Sequence, residues 1–90
     1  MREPSFTKQF KKDYQRMTRQ GKRLELLDCL AESLIDELEL SARYRDHQLK
    51  GKLMGHRECH IQGDWLLIYR IEGEQIFFER TGSHAELFQS

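Results

Sequence analysis

Apolar residues recur at helical spacing in the first half of the chain and predict two helices. The first set is spaced by four, four and three residues and comprises Phe6, Phe10, Tyr14 and Met17. The second set keeps the same period over about three turns and comprises Leu27, Leu30, Ala31, Leu34 and Leu38. Gly21 stands between the sets, where it suits the left-handed residue that follows a helix C-terminus. The pattern therefore predicts a helix, a tight turn and a second helix.

The helical period is lost between residues 41 and 55, where two glycines and several basic residues predict a long loop. Three apolar segments follow, separated by turn signals at Gln62-Gly63 and Glu72-Gly73. Their sequences are HRECHI, DWLLIYRI and QIFFER. They predict an antiparallel meander that leaves its last strand at Thr81-Gly82 and continues into a short tail. Two helices followed by a meander indicate an α+β fold.

Length and composition indicate a single domain that spans residues 1–90. A chain of 90 residues with 38% hydrophobic and 33% charged residues fits one water-soluble globular fold. No apolar run approaches the roughly 18 residues of a membrane span, and the N-terminal stretch lacks the apolar core of a secretory signal. Cys29 and Cys59 lie far apart in the sequence, so we expect both to be reduced and structural. These features predict a cytoplasmic protein without a membrane partner.

The net charge of zero conceals alternating blocks of charge. Residues 1–23 hold eight basic and two acidic residues (+6), and residues 24–41 hold six acidic and no basic residues (−6). Residues 42–57 hold five basic and one acidic residue (+4), and residues 58–90 hold two basic and six acidic residues (−4). Such blocks place positive patches on a neutral protein, and these patches attract phosphates. The basic blocks fit a nucleic-acid surface, although the lysines of the first helix are most simply explained as an ordinary solvated face.

Four histidines lie in the second half of the chain, at positions 47, 56, 60 and 84. Asp64 and Arg80 lie among them, and neighbouring strands can bring such residues into one pocket. Because the imidazole pKa is about 6.5, one histidine can accept a proton near neutral pH while another donates one. An arginine can stabilise charge on a phosphate. These residue types fit RNA cleavage without a metal, in which a base activates the 2′-hydroxyl and an acid protonates the leaving 5′-oxygen.

Several of these residues also have a structural interpretation. His56 fits a partly exposed surface histidine. His56, Glu58 and His60 form an H-x-E-x-H pattern that would suit a metal if Asp64 joined them, but the signal is weak. Trp65 begins a strand that is apolar on both faces, which favours a core position over stacking on a base. The residues alone therefore leave both interpretations open.

Three segments together resemble the signature of the YafQ branch of the RelE-type bacterial toxins. They are YRDHQLKG at residues 44–51, GHRECHIQGDWLLIYRI at residues 55–71 and FERTGSHAELF at residues 78–88. Their order, their spacing and their position at the chain end agree with that family, and both predicted helices also fit. The resemblance implies a RelE-like α+β fold, in which two N-terminal helices pack on a small antiparallel sheet of about four strands. It also implies a short first strand near residues 2–4.

The same resemblance implies an activity and partners. Members of that family are toxins of type II toxin–antitoxin systems that enter the ribosomal A site and cut the exposed mRNA codon, and a cognate antitoxin silences them. The expected partners are therefore an antitoxin, the ribosome and mRNA, and neither a cofactor nor a metal is expected. The basic stretches at residues 8–23 and 43–52 are the expected contacts to ribosomal RNA.

Seven residues fall on the family's site pattern when the segments are matched position by position. The expected catalytic residues are His47, His60, Asp64 and His84. The expected substrate-binding residues are Trp65, Arg80 and Phe88. We expect His84 to be the principal proton-transfer residue, turned back toward Arg80 by residues 81–83, and Arg80 to steady the phosphate. The division of base, acid and orienting roles among the other three catalytic residues stays open.

Two other functions remain open at this point. One is a toxin of the same fold that inhibits DNA gyrase and cuts nothing. The histidines argue against it, since a non-catalytic blocker has no evident use for acid–base groups. The other is a non-catalytic module that binds RNA or protein, which would leave bound RNA intact.

Overall fold

Five strands and three α-helices occur in residues 1–88, the part of the chain that the computed structural model describes. The strands are β1 (Glu3–Phe6), β2 (His47–Gln48), β3 (Arg57–Gln62), β4 (Trp65–Glu72) and β5 (Gln75–Gly82). The helices are α1 (Lys8–Arg19), α2 (Leu24–Ile35) and α3 (His84–Phe88). The strands form one sheet in the order β1-β5-β4-β3-β2.

Both predicted N-terminal helices are confirmed. Thr7 precedes α1, and its hydroxyl accepts a hydrogen bond from Phe10 N at 3.0 Å, which satisfies one of the unpaired amides at the helix start. Gly21 has a φ of +75° and closes the turn into α2. Phe10 and Met17 are buried with the leucines of α2 in the core cluster, whereas Leu38 lies beyond the end of α2 and is exposed. The apolar spacing thus identifies the buried helix faces but extends the second helix too far.

The meander β3–β4–β5 is also confirmed. The short first strand that the resemblance implies near residues 2–4 is confirmed as β1, which runs parallel to β5. The sheet is therefore mixed and has five strands, where the sequence predicts about four antiparallel ones. Parallel strands are joined by long connections, so no local turn signal reveals their pairing. Phe6, which the apolar spacing assigns to the first helix, ends β1 instead. Its ring stacks on Phe78 of β5 with the centroids 5.2 Å apart.

The two faces of the sheet have different surroundings. Alternate residues of β4 from Trp65 to Tyr69 belong to the core cluster shared with α1 and α2. Leu66 and Ile68 lie between them and point to the opposite face, where their cross-strand partners on β3 are His60 and Glu58. Ionisable side chains of β3 therefore lie on the sheet face opposite the two long helices.

Two regions contain more structure than the sequence predicts. The 41–55 segment includes 3₁₀ turns at Ala42–Tyr44 and Gly51–Leu53 as well as β2. The predicted short tail after β5 forms α3. These elements are too short for a periodic pattern to reveal. No helix within residues 1–88 combines the length and the apolar character that crossing a membrane requires.

Both cysteines are free thiols, with Cys29 exposed and Cys59 buried. Burial raises the pKa of the Cys59 thiol far above its usual range. A thiol that stays protonated is a poor nucleophile and a poor metal ligand. Cys59 therefore serves as a small apolar residue of the core.

Candidate active site

Three histidines from three different elements meet on the sheet face opposite α1 and α2. His47 comes from β2, His60 from β3, and His84 is the first residue of α3. The ring centroids of His47 and His60 lie 6.4 Å apart, and those of His60 and His84 lie 5.9 Å apart. Phe88 lies one turn along α3, with its ring centroid 5.9 Å from that of His84. We refer to His47, His60 and His84 as the histidine cluster.

The sheet register explains why His60 and His84 meet. Leu66 of β4 pairs with His60 on one side and with Gly82 on the other. Adjacent strands lie about 4.8 Å apart, so the end of β5 is two strand spacings from His60. α3 begins two residues after Gly82 and delivers His84 to this position. Asp64 lies in the turn between β3 and β4 at the same end of the sheet.

Asp64 fixes the orientation of His84. Its Oδ1 lies 2.6 Å from Nδ1 of His84 and also accepts a hydrogen bond from the His84 amide at 3.3 Å. These hydrogen bonds hold the pKa of the Asp64 carboxyl below its usual range. An ionised carboxylate can only accept, so Nδ1 of His84 carries a proton and Nε2 of the neutral ring is left as a base. The His84 side chain is 53% exposed, which makes Nε2 accessible to a substrate.

The titration of Asp64 tests this arrangement. We expect the carboxyl of Asp64 to titrate below the ordinary aspartate value of 3.8, because His84 stabilises its charged form. In the His84→Ala variant the midpoint should rise. In the native protein Asp64 is ionised at neutral pH and accepts the hydrogen bonds from His84. The stabilisation from this pair is lost as the pH falls through the lowered pKa of Asp64. Carbon-detected NMR of the side-chain carboxyl measures both midpoints, and identical values in the two proteins would contradict the pairing.

A buried carboxylate supports the other two histidines. Glu58 of β3 is 4% exposed, and its Oε2 lies 3.3 Å from Nε2 of His47 and 3.5 Å from Nε2 of His60. Nδ1 of His47 lies 2.6 Å from the carbonyl oxygen of Arg45. Both nitrogens of His47 thus face oxygen acceptors, an arrangement that a doubly protonated ring satisfies.

The sequence does not predict this role of Glu58. The H-x-E-x-H pattern marks it only as a metal ligand beside His56 and His60. In the structure His56 turns away to Glu79, with Nε2 3.8 Å from its Oε2. Among residues 1–88, no three His, Cys, Asp or Glu side chains are grouped closely enough to hold a metal ion. The sequence feature that could have revealed this role is the two-residue spacing of Glu58 and His60, which puts both side chains on the same face of one strand.

One family of known proteins matches almost the whole chain. The model of that family, described as the bacterial toxin of type II toxin–antitoxin systems, YafQ, matches residues 2–89. This chain belongs to the YafQ family. The mRNA interferase toxin YafQ of Escherichia coli strain K12 is 39% identical to it over 88 residues, which cover 97% of this chain and 96% of the relative.

Solved structures of similar toxins share the fold of this YafQ-family chain. The Escherichia coli DinJ–YafQ complex matches with a TM-score of 0.91 and 38% identity, covering 98% of this chain and 99% of that one. A metal-bound toxin from Helicobacter pylori matches with a TM-score of 0.90 and 40% identity, covering 98% of this chain and 100% of that one. The predicted RelE-like α+β fold is therefore confirmed.

Trp65 of this YafQ-family chain lies in the core, where the sequence match predicts a substrate-binding residue. Its side chain is 2% exposed, so no face of the ring is open to a base. Its Nε1 donates a hydrogen bond to Oγ1 of Thr81 at 2.9 Å, and that hydroxyl donates to the carbonyl oxygen of Leu66 at 2.8 Å. The helices cover this face of β4 and thereby bury the ring. This hydrogen bond joins the start of β4 to the end of β5.

Removing the buried hydroxyl of Thr81 should destabilise the protein. We expect Thr81→Val to lower the free energy of unfolding by about 1–3 kcal/mol, because the N–H of Trp65 loses its acceptor inside the core. Urea denaturation measures the change. Thr18→Val is the matched control, since the Thr18 hydroxyl donates to the carbonyl of Tyr14 on an exposed helix face. Equal losses of unfolding free energy in Thr81→Val and Thr18→Val would show that the Trp65–Thr81 hydrogen bond does not stabilise the fold.

Arg80 lies near the histidine cluster in the sheet, but its guanidinium is held by α1. The register pairs Arg80 with Ile68, whose partner on the other side is Glu58. Nε of Arg80 donates to Oδ2 of Asp13 at 2.7 Å, and Nη2 donates to Oδ1 at 3.3 Å. Residues 81–83 direct His84 to Asp64, whereas the sequence predicts that they turn it toward Arg80.

Most basic residues of the two predicted RNA-contacting stretches are at the surface. The exposed side chains include Lys8, Lys11, Lys12, Arg19, Arg43, Arg45, Lys50 and Lys52. Arg16 differs from them, because it is half-buried and forms ion pairs with Asp13 and Glu86. The exposed residues fit a phosphate-binding role, and Arg16 fits a structural one.

Proposed function

We propose that this protein is an mRNA interferase, a metal-independent endoribonuclease that cuts mRNA in the A site of the ribosome. The observation that carries the proposal is the exposed histidine cluster, whose rings are oriented by the carboxylates of Asp64 and Glu58. Membership in the YafQ toxin family and the 39% identity to the mRNA interferase toxin of Escherichia coli support it.

In this mechanism His84 is the general base. Asp64 accepts a hydrogen bond from Nδ1–H, so Nε2 keeps its lone pair in the neutral ring. Nε2 removes the proton of a 2′-hydroxyl, and the oxygen attacks the adjacent phosphorus. The bond from phosphorus to the 5′-oxygen breaks, which leaves a 2′,3′-cyclic phosphate. A positioned acid or base of this kind typically contributes a factor of about 10²–10⁴ to the rate.

The leaving 5′-oxygen takes its proton from a histidine that lies beside Glu58. His47 is the acid in this proposal, because oxygen acceptors lie beside both of its ring nitrogens, as the carbonyl of Arg45 and the carboxylate of Glu58 do. Its side chain is 49% exposed and therefore accessible to the leaving group. His60 lies between His47 and His84 and is 20% exposed, which suits it to orient the other two rings and to donate to the phosphate.

Arg80 and Phe88 bind the substrate. Asp13 occupies the Nε and Nη2 side of the guanidinium, so the end formed by Nη1 and Nη2 retains donors for a phosphate oxygen. Phe88 is 42% exposed and lies beside His84, where its ring can stack on a base next to the scissile bond. Trp65 makes no direct substrate contact in this mechanism.

The basic surface at residues 8–23 and 43–52 recruits the protein to ribosomal RNA. Contacts of this kind release counterions, so the affinity for ribosomes should fall as the salt concentration rises. Removing these exposed cations should weaken recruitment without changing the rate of the chemical step. A target of this kind places the protein in the cytoplasm.

A cognate antitoxin silences the toxin in this proposal. The similarity to the DinJ–YafQ complex supports such a partner. A groove of about 760 Å³ between α2, the following loop and β3 offers an apolar wall formed by Leu26, Leu30 and Leu40. His60 lies at the edge of the same groove. An amphipathic antitoxin segment bound there would bury apolar surface beside the histidine cluster.

A reconstituted cleavage assay tests the proposed function. Purified protein is mixed either with ribosomes that hold a defined mRNA codon in an empty A site or with the same mRNA alone. We expect cuts inside the A-site codon and only in the presence of ribosomes. Intact mRNA to which the protein stays bound would indicate a binding module instead. Intact mRNA together with inhibited DNA supercoiling would indicate a gyrase inhibitor.

A further inference from the structure

A buried carboxylate on α1 holds the end of β5. Asp13 has no exposed surface and accepts five hydrogen bonds, one of them from Nε2 of Gln9 at 3.3 Å. The other donors are Nε of Arg80 at 2.7 Å, Nη2 of Arg80 at 3.3 Å, Nη1 of Arg16 at 2.9 Å and the amide of Thr81 at 3.2 Å. Burial alone would raise the pKa of Asp13, but these donors hold it below its usual range. Asp13 is therefore ionised beneath the two arginines.

The network continues from Arg16 to the helix that carries His84. Nε of Arg16 donates to Oε2 of Glu86 at 3.0 Å, and Oε1 of Glu86 accepts from the amide of Ser83 at 2.9 Å. Gly82 permits this packing, since a Cβ there would stand 2.8 Å from Nη2 of Arg16 and 2.9 Å from Oε1 of Glu86. α1 thus anchors both β5 and α3 through one set of charges.

The pairing leaves a defined part of the Arg80 guanidinium free. Asp13 binds the side formed by Nε and Nη2, and no residue of the described range 1–88 accepts a hydrogen bond from Nη1. Two hydrogen bonds on one side of a guanidinium fix the plane of the group, so its unbound Nη1–Nη2 end points in one direction. Stability alone gives little reason for such a network, because apolar residues of similar volume often replace a buried ion pair without loss.

We propose that Asp13 is a positioning residue for catalysis, which orients the guanidinium of Arg80 so that its Nη1–Nη2 end binds the scissile phosphate. Arg16 has a parallel role, because it ties α3 and hence His84 to the same helix. The inference rests on the proposed nuclease function and extends it to residues that lie outside the site. It accounts for a buried aspartate on a helix whose other charged residues are all basic.

Two substitutions test the positioning role. Asp13→Asn keeps the shape of the side chain but removes its charge and replaces one acceptor oxygen with a donor, so it can no longer accept from both Nε and Nη2 of Arg80. Arg80→Lys keeps the charge that pairs with Asp13 but loses the planar fork. Asp28→Asn is the matched control, since Asp28 accepts a hydrogen bond from Tyr14 at 2.9 Å on an exposed surface.

We expect each of the first two variants to lower the maximal cleavage rate on saturating ribosomes about 10–100-fold, with the half-saturating ribosome concentration unchanged. The double variant should be no slower than the slower single one, because both changes remove the same oriented group. Asp28→Asn should cleave at the native rate. A native rate for either single variant, or losses that multiply in the double variant, would overturn the positioning role. Thermal melting identifies any variant that does not fold. If Asp13→Asn does not fold, Arg80→Lys still tests the proposal, because it retains the buried charge pair with Asp13.

A second measurement is independent of nuclease activity. In the native protein the Nε–H signal of Arg80 should be sharp in ¹⁵N NMR and should exchange slowly with water, because Asp13 holds it. In Asp13→Asn the signal should broaden and exchange as fast as those of exposed arginines. An unchanged signal would overturn the inference. If the native protein does not cut mRNA, the proposed function fails, and this signal still decides whether Asp13 immobilises Arg80.

Discussion

We expect the His84→Ala variant to cut ribosome-bound mRNA about 10³-fold more slowly than the native protein, the middle of the range for a lost acid–base group. The ring of His84 is held by Asp64 and is more than half exposed, so its removal takes away the proposed base and little of the core. The affinity for ribosomes and the melting temperature should not change. Single-turnover cleavage on saturating ribosomes measures the chemical step directly.

His56→Ala is the matched control for that experiment. His56 belongs to the same half of the chain, but it lies beside Glu79 and outside the histidine cluster. We expect this variant to cut at the native rate. Equal losses of cleavage rate in His84→Ala and His56→Ala would mean that both substitutions act through protein stability rather than through proton transfer.

The largest expected effect on stability comes from Asp13. Asp13→Ala leaves Arg80 and Arg16 without their shared partner and leaves the Thr81 amide without an acceptor. Removing one member of a buried ion pair typically costs about 3–5 kcal/mol, and we expect the lower end because both arginines are partly exposed. Urea denaturation at neutral pH measures the loss. Asp28→Ala, which removes an exposed carboxylate, should change stability far less.

The loss of unfolding free energy in Asp13→Ala should become smaller as the pH falls. The folded-state pKa of Asp13 lies below the ordinary value of 3.8, so its ionised form stabilises the fold fully above that value. This contribution is lost as the pH falls through the lowered pKa. The difference in unfolding free energy between the native protein and Asp13→Ala should therefore shrink in strong acid. A difference that stayed constant down to pH 2 would contradict the ionic role of Asp13.

The sequence predicts the main elements because their signals are local. Apolar residues three and four apart define α1 and α2, and glycine turns separate the three strands of the meander. The parallel pairing of β1 with β5 has no such signal, since it joins opposite ends of the chain. Phe6 illustrates the limit, because its spacing suits a helix while its ring packs on Phe78 as the last residue of a strand.

The candidate site is predictable only where its residues carry a recognisable pattern. The match to the toxin segments identifies His47, His60, Asp64 and His84, and the structure places the histidines in one cluster with Asp64 bound to His84. The supporting carboxylates are not predictable in this way. Glu58 looks like part of a weak metal motif, and Asp13 looks like one polar residue on a basic helix. Their roles depend on burial and on partners far along the chain, which spacing does not encode.

The most direct test of the account is the position of mRNA ends after brief production of the toxin in bacteria. Primer extension should be run for the native protein, for His84→Ala and for His56→Ala. We predict cuts in frame with translation, at A-site codons, for the native protein and His56→Ala, and their absence for His84→Ala. Growth arrest by the native protein with intact mRNA would contradict the nuclease account and direct attention to DNA gyrase or to another bound target.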